Sequence, residues 1–294
     1  MIALAPITRN ALTIDVEDYY HVTGFEHIVD RARWDDFEPR VADSTGRLLD
    51  VLAEADVHAT FFVLGWVAER QPQLLRRIQS AGHEIGCHSY AHRLIYTQTP
   101  REFRDDLRRA RVAIEDVTGE AVSAYRAPSF SITAASAWAL DVLIDEGFTI
   151  DSSIFPTHHD RYGMPGTPLE PHRLSRAAGD IWEFPLPVCH VGSYPLPVGG
   201  GGYFRLYPYA LTRRCLRKIN AAGRPFAVYL HPWELDPEQP RLSPGLLRGF
   251  RHYVNLRRTE ERLVRLLRDF AFGTLSESLA AWTGEREYAR PIPA

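Results

Sequence analysis

The sequence predicts an α/β protein built on a parallel sheet. Short apolar runs alternate along the chain with longer segments in which apolar residues recur at helical spacing. Several of the apolar runs end in a titratable side chain, which is where barrel enzymes keep their chemistry. A chain of 294 residues suits one barrel domain or two small ones.

Each predicted element rests on its local sequence. Apolar and β-branched runs predict strands at residues 12–16, 58–64 and 84–88, near Tyr125 and Thr149, and at residues 183–185 and 226–230. Ser44 can cap a helix that carries leucines at positions 48, 49 and 52. Helices are also expected from Pro72 to Gly82, from Pro100 to near Gly119, and over residues 134–146 and 258–270.

Composition and charge narrow the class of protein. The chain is 45% hydrophobic and 24% charged, which is ordinary for a globular enzyme. A formal net charge of −3 gives no indication of a nucleic-acid partner or of an anionic membrane surface. No apolar run approaches the length of a transmembrane segment, and residues 1–10 lack the features of a signal peptide, so we expect a cytoplasmic protein. The three cysteines, Cys87, Cys189 and Cys215, cannot pair completely, so reduced thiols are expected.

A pair of histidines is the first candidate for a metal site. His88 and His92 lie four residues apart, just after a short apolar run. Four residues is about one helical turn, so both imidazoles can face one point. Imidazole is the commonest metal ligand at neutral pH, although satisfied core or surface histidines are the more frequent explanation of such a pair taken alone.

An acidic cluster at the end of the first strand is the second candidate. Asp15, Glu17 and Asp18 follow an apolar run within four residues. Like charges this close repel unless a cation lies among them. If the strand continues to Glu17, alternation places Asp15 and Glu17 on one side. A solvated strand end or a helix cap would also explain these carboxylates.

Three further segments carry candidate polar groups. Arg126 follows a short apolar stretch and could hold a carboxylate through two parallel hydrogen bonds. Asp151 and His231 each end a strand-like run. A histidine at the end of a strand and before a proline lies where barrel enzymes place catalytic groups.

Taken together, these segments resemble the polysaccharide deacetylase family, the carbohydrate esterases with a NodB homology domain. Its five motifs are matched in order over residues 10–235, by Thr13-Ile14-Asp15, by His88-Ser89-Tyr90-Ala91-His92, by Arg126 with Pro128, in part by Asp151, and loosely by Leu230-His231. The resemblance implies a distorted (β/α)7 barrel of the TIM type. More narrowly, residues 15–20 and 229–234 resemble a branch encoded in bacterial exopolysaccharide loci that accompany exosortase systems.

The resemblance also implies a role for each residue. A divalent metal, zinc by preference with cobalt, nickel or iron as alternatives, would be held by His88, His92 and one carboxylate. The family usually has a second aspartate directly after the first, but position 16 is valine, so Glu17 or Asp18 must supply that ligand, with Glu17 preferred. Asp15 would be the general base, positioned by Arg126. His231 would be the general acid, oriented by Asp151, and the backbone near Ser129 would help to bind the oxyanion.

The function implied is metal-dependent N-deacetylation of a glycan that contains N-acetylhexosamine, or of its lipid-linked precursor, in exopolysaccharide synthesis. Two alternatives remain open: hydrolysis of an O-acetyl ester, a formamide or a cyclic amide on the same fold, and carbohydrate binding without catalysis. The oligomeric state is not readable from the sequence.

Two regions complete the predicted organisation. Residues 1–235 would form the barrel, and residues 236–294 a C-terminal helical extension packed on it. Residues 157–209 are rich in glycine, proline and aromatics, and the four-glycine run 199–202 is interpreted as a flexible loop facing substrate. Tyr203 and Trp233 are candidate sugar contacts, with packing inside the loop as the equal alternative.

Overall fold

A computed structural model describes residues 8–159, 161–192 and 194–284. Its strands are β1 (Asn10–Val16), β2 (Thr60–Val63), β3 (Glu84–Cys87), β4 (Ala124–Tyr125), β5 (Ile150–Asp151), β6 (His172–Arg176), β7 (Gly179–Glu183), β8 (Val188–Val191), β9 (Tyr194–Pro197), β10 (Ala227–Leu230) and β11 (Phe272–Gly273). Its helices are α1 (Val41–Glu54), α2 (Gly65–Arg70), α3 (Pro72–Ser80), α4 (Pro100–Thr118), α5 (Trp138–Asp145), α6 (Gly201–Leu206), α7 (Tyr209–Ala221), α8 (Leu246–Tyr253), α9 (Thr259–Asp269) and α10 (Leu275–Thr283).

The predicted parallel sheet is confirmed. Seven strands run parallel in the order β10-β1-β2-β3-β4-β5-β7, and β6 adds an antiparallel edge next to β7. This order, with helices between the strands, fits the expected distorted (β/α)7 barrel. All seven strands therefore direct their carboxyl ends to one face, which is where the candidate polar residues lie.

Side-chain alternation along β1 separates two environments. Leu12, Ile14 and Val16 are fully buried in the large apolar cluster beneath the helices. Ala11 belongs instead to a smaller cluster, formed by residues from five strands and capped by two leucines of α10. Alternate residues of β1 thus point into the barrel, and Thr13 and Asp15 follow Ala11 on that side.

Two predicted details of the elements are wrong. The first helix begins at Val41 rather than at a cap on Ser44, because the Asp18 carboxylate accepts the backbone N–H groups of Arg40 and Val41 at 2.7 and 2.9 Å. The helix expected over residues 134–146 is shorter, since a 3-10 turn over Ala134–Ser136 precedes α5.

The four-glycine run is not a flexible loop. Gly199, Gly200 and Gly201 are buried, and α6 begins at Gly201. Gly200 has a φ of 147°, and a β-carbon there would lie 1.9 Å from the carbonyl oxygen of Tyr229. The Tyr229 N–H donates to the Gly199 carbonyl at 2.8 Å, so this segment lies backbone to backbone against β10. Only glycine allows such an approach.

The C-terminal residues pack on the sheet. The short strand β11 pairs in parallel with β1, and α10 follows it directly. Ser278 of α10 donates to the Arg9 carbonyl at 2.8 Å. The boundary at residue 235 stays a prediction.

Two further properties bear on the expectations from sequence. The cysteines are free and buried. Within the part of the chain that the structure describes, no helix has both the length and the apolar character needed to cross a bilayer.

Candidate active site

Three side chains converge at the carboxyl ends of β1 and β3. Glu17, His88 and His92 each offer one ligand atom, and these atoms lie within 4.8 Å of one another. Glu17 Oε1 is 3.0 Å from His88 Nε2 and 2.9 Å from His92 Nε2. All three residues are at least 97% buried. Burial raises the pKa of Glu17, but the imidazoles of His92, His231 and His88 outweigh it and hold the pKa well below its usual range.

The backbone fixes how His88 presents its ring. Its Nδ1 lies 2.8 Å from the Arg126 carbonyl oxygen, which can only accept, so Nδ1 carries the proton. In the neutral ring, Nε2 is then the available ligand atom and faces Glu17, which is the usual arrangement of a metal-binding histidine.

The loop after β3 is held in an uncommon conformation. Ser89 and His92 have φ values of 64° and 50°, in the left-handed region that side chains other than glycine rarely adopt. The Arg31 guanidinium donates to the carbonyls of Ala91 and His92 at 2.9 and 3.3 Å. Positive φ values cluster at functional sites, where surrounding contacts impose them.

Asp18 does not join this group. One carboxylate oxygen accepts hydrogen bonds from the backbone N–H groups of Arg40 and Val41 at the start of α1. The other oxygen accepts a hydrogen bond from the Tyr19 N–H at 2.9 Å. Burial raises the pKa of Asp18 to about 6, against the opposing effect of these hydrogen bonds. Of the two carboxylates left open by the sequence, the geometry therefore favours Glu17 as the metal ligand.

Alanine substitutions should separate these two roles. We expect Glu17→Ala to lose bound metal. Asp18→Ala should keep the metal but lower the free energy of unfolding by about 1–3 kcal/mol, because buried N–H groups lose their acceptor. Metal content per chain and urea unfolding check both. Metal loss in Asp18→Ala with normal stability would reverse the assignment.

Asp15 is held by a buried arginine. Arg126 Nη1 donates to Asp15 Oδ1 at 2.9 Å and to Thr13 Oγ1 at 2.6 Å. Its other nitrogens donate to the carbonyl and hydroxyl oxygens of Ser152 at 3.0 and 2.9 Å. Arg126 is completely buried and stacks on Phe62 at 4.4 Å. A buried guanidinium needs an anion beside it, and the Asp15 carboxylate occupies that position.

His231 lies between three carboxylates. Its Nε2 is 3.9 Å from Asp15 Oδ2 and 3.9 Å from Glu17 Oε1, and its Nδ1 is 3.0 Å from Glu234 Oε1. Burial lowers the pKa of His231, but Glu17, Glu234 and Asp15 together raise it to about 9.

Glu234 is the partner that the sequence prediction missed. It is fully buried, and the guanidinium Nε of Arg205 lies 3.7 Å from its Oε1. Arg205 in turn donates to the backbone carbonyls of Arg251, His252 and Val254, at the end of α8. Glu234 follows His231 by three residues in one 3-10 turn, a spacing that could have identified it. No local signal identifies Arg205.

Asp151 is not the residue that orients His231. It lies opposite Glu183 of the neighbouring strand in the register of β5 and β7, and Ser153 Oγ donates to its Oδ1. Burial raises the pKa of Asp151 to about 6. Burial and the adjacent Asp151 carboxylate raise the pKa of Glu183 well above its usual value. Burial of the two neighbouring carboxyl groups therefore disfavours ionisation of both at once.

Glu183→Gln should flatten the dependence of stability on pH. The pKa of Glu183 is raised in the folded protein. Its contribution to the free energy of unfolding is therefore complete below the pKa that it has in the unfolded chain, and is lost as the pH rises. The loss is about 1.4 kcal/mol for each pH unit over which only the folded protein keeps the proton. Glutamine needs no proton and can still accept the Ile154 N–H. Melting from pH 5 to 8 measures this, with Glu54→Gln on the exposed end of α1 as control. Parallel curves for Glu183→Gln and wild type would contradict it.

The predicted substrate contacts fall in different environments. Trp233 is not a sugar platform, because it is 95% buried and stacks between His231 and His252, with ring centroids 5.1 and 4.2 Å away. Tyr203 is half-buried, and its hydroxyl is 3.0 Å from that of Tyr162. Ser129 is half-buried with a φ of 51°, and its hydroxyl is 2.8 Å from that of Thr23.

Comparisons with known proteins agree with this arrangement. Residues 33–143 match the family model described as polysaccharide deacetylase. Over these residues the chain is similar to the polysaccharide deacetylase family. Residues 152–280 match a second family model, described as a domain of unknown function (DUF3473). This segment of the chain contains Arg205, His231 and Glu234. The residue 235 boundary falls inside that match.

Curated relatives of the family cover only part of the chain. A provisionally named polysaccharide deacetylase of Bacillus subtilis (strain 168), YheN, is 32% identical over 149 residues, 48% of this chain and 52% of its own. A peptidoglycan-N-acetylmuramic acid deacetylase of the same organism, PdaA, is 37% identical over 84 residues, 29% of this chain and 32% of its own. A chitooligosaccharide deacetylase of Bradyrhizobium sp. (strain ANU 289) is 34% identical over 99 residues, 34% of this chain and 43% of its own.

A solved structure matches the fold over nearly the whole chain. The crystal structure of a provisionally named polysaccharide deacetylase from Mycobacterium smegmatis superimposes with a TM-score of 0.62. The match covers 99% of this chain and 96% of that one at 22% identity, so it concerns the fold alone.

Proposed function

We propose that this deacetylase-family chain is a divalent-metal-dependent N-deacetylase. One observation carries the proposal: Glu17, His88 and His92 form a compact ligand group, and Asp15 and His231 lie next to it. Hydrolysis of an acetamide needs a strengthened nucleophile and a proton for the leaving amine, and these five side chains supply both needs.

The donor set fits a divalent metal, zinc by preference, with cobalt, nickel and iron as alternatives. One carboxylate oxygen and two imidazole nitrogens are ligands that these ions accept. Nε2 of His88 presents a lone pair to the group, since Nδ1 is engaged with a carbonyl. A bound ion would lower the pKa of a water molecule and polarise the acetamide carbonyl.

The chain's own residues would manage the protons. Asp15, held by Arg126, would accept a proton from the attacking water. The water oxygen forms a bond to the carbonyl carbon, and the C–N bond then breaks. His231 would give its proton to the leaving amine, so that acetate and a free amine are released. Ser129 backbone and Tyr203 stay predicted substrate contacts.

Glu234 would fix the tautomer and orientation of His231. We expect Glu234→Gln to lower kcat by about 100-fold with little change in KM, because the anionic partner of the protonated ring is lost. Metal content should be unchanged. Glu238→Gln is the matched control, since Glu238 is exposed and pairs with Arg257 at the surface. A kcat equal to wild type in Glu234→Gln would remove Glu234 from the mechanism.

The substrate class proposed is a glycan that contains N-acetylhexosamine, or its lipid-linked precursor. Support comes from relatives named as deacetylases of chitooligosaccharide and of peptidoglycan amino sugars. A role in exopolysaccharide synthesis is proposed from the resemblance of residues 15–20 and 229–234 to that branch of the family.

Acetate release measured together with metal content tests the proposal. Purified protein is incubated with chitooligosaccharides as isolated, after chelation, and after zinc or cobalt is restored. Activity that stops with chelator and returns with metal is expected. Bound metal without acetate release would move the search to other acyl groups, and sugar binding with neither metal nor turnover would replace the proposal with a binding role.

A further inference from the structure

An exposed apolar surface lies near the candidate active site. It is formed by Ile28, Leu246, Leu247 and Phe250, which we name the rim patch. Leu246 is 96% exposed, Leu247 63%, Phe250 56% and Ile28 46%. Three of the four lie on one helix, α8, so their exposure is concentrated in one place.

Helix α8 presents its apolar side to solvent. At about 100° per residue, Leu246, Phe250 and Leu247 fall within one arc of about 100°, with Arg251 next to it. His252 lies on the opposite side, where it is buried and stacks on Trp233. A helix of a globular protein normally buries its apolar arc, so this orientation calls for an external surface.

The charge around the rim patch differs from that of the whole chain. Residues 240–259 contain five arginines and no acidic residue, although the chain has a net charge of −3. Arg248 and Arg251 are exposed on α8 itself. Two nearby acids, Glu26 and Glu238, are already paired with Arg31 and Arg257. The rim patch therefore combines apolar side chains with the positive charge of Arg248 and Arg251 on the same helix.

Contacts tie the rim patch to the mouth of the site. Arg248 Nη1 lies 2.6 Å from His27 Nδ1, which joins α8 to the loop that carries Ile28. The same loop reaches the site through Thr23, at the Ser129 hydroxyl, and through Arg31, which donates to the loop carbonyls after His88.

We propose that the rim patch docks the protein on the surface of an anionic phospholipid bilayer. Exposed leucine and phenylalanine side chains insert at the level of the headgroups, and adjacent arginines bind lipid phosphates. The charge complementarity selects an anionic bilayer rather than a neutral one. The inference concerns binding alone and does not depend on the proposed hydrolysis.

Vesicle sedimentation with the full chain tests the proposal without any turnover. We expect binding to vesicles that contain phosphatidylglycerol and weak binding to pure phosphatidylcholine. Leu246→Ser, Leu247→Ser and Phe250→Ser combined should abolish binding. The double variant Arg248→Gln with Arg251→Gln should weaken binding to anionic vesicles by about 30-fold, because each arginine near the surface contributes a factor of about 5 and the two factors multiply.

Two exposed residues of α4 provide matched controls. Val112 is 54% exposed and the Arg101 side chain 92%, so Val112→Ser and Arg101→Gln should bind as wild type does. Circular dichroism of every variant excludes misfolding as the cause of lost binding. Absence of wild-type binding to anionic vesicles would overturn the proposal. Concentration-dependent self-association that the triple variant abolishes, without vesicle binding, would instead make the rim patch an interface between copies of the chain.

Discussion

His88→Ala is expected to remove metal and hydrolytic activity together. The substitution deletes one of three ligand atoms and leaves Glu17 and His92, which cannot hold a divalent ion tightly alone. Changes to residues that merely orient ligands cost 10- to 100-fold in metal affinity or activity, so loss of a ligand should cost at least about 100-fold. Metal per chain by mass spectrometry and acetate release under identical conditions provide the measurement.

His190→Ala is the matched control for this experiment. His190 is exposed on β8, and its backbone carbonyl, not its ring, accepts from Lys218 Nζ and Cys189 Sγ. That variant should keep both metal and activity. Stoichiometric metal in His88→Ala would exclude His88 as a ligand, whatever happened to the activity.

Asp15→Asn should keep the metal yet lose most turnover. Asp15 is outside the group of three ligand atoms, but its Oδ2 is 3.9 Å from His231 Nε2 and its Oδ1 is held by Arg126. An amide cannot accept a proton at neutral pH, so kcat should fall by about 100- to 10,000-fold. Single-turnover acetate release at saturating metal measures the step.

Stability must be followed in the same variant. Asparagine leaves the buried Arg126 without its anion, and that costs free energy of unfolding. Thr13 and Ser152 still accept hydrogen bonds from Arg126, so the variant should fold. Asp105→Asn, at an exposed position on α4, controls for the amide change. Near-normal turnover in Asp15→Asn would exclude Asp15 as the base.

Much of the fold could be predicted because its signals are local. Proline at the first turn and glycine after the last marked α3 and α4, and β-branched runs marked the longer strands. The start of α1 could not be read in this way, because its cap, Asp18, lies more than twenty residues earlier in the sequence. The four glycines were misread since their partner, the backbone of Tyr229, is equally remote.

The candidate site was also predicted where its signals are local in sequence and missed where they depend on remote partners. Asp15 and Glu17 both lie 3.9 Å from His231 Nε2, but β1 ends at Val16 and the Glu17 N–H donates to the Asp15 carbonyl at 2.9 Å, so strand alternation does not extend to Glu17. Asp151 was given the wrong partner because a motif states which residues are present and not which atoms meet. Its real partner, Glu183, lies opposite in the register of β5 and β7. For Trp233 the sequence left sugar contact and packing as equal alternatives, and long-range packing on His252 buries it.

The anchoring of Arg205 affects how this chain can be divided. Every recognised family motif ends by residue 231, so a shortened gene that stops at 235 would look complete to a motif search. Its product would lack the carbonyls at 251, 252 and 254 that hold Arg205, and hence the support behind Glu234. Such a product could still bring the metal ligands together, but His231, the proposed general acid, would lack the support that Arg205 gives to Glu234. The segments before and after residue 235 should therefore be kept together in any truncated or chimaeric protein.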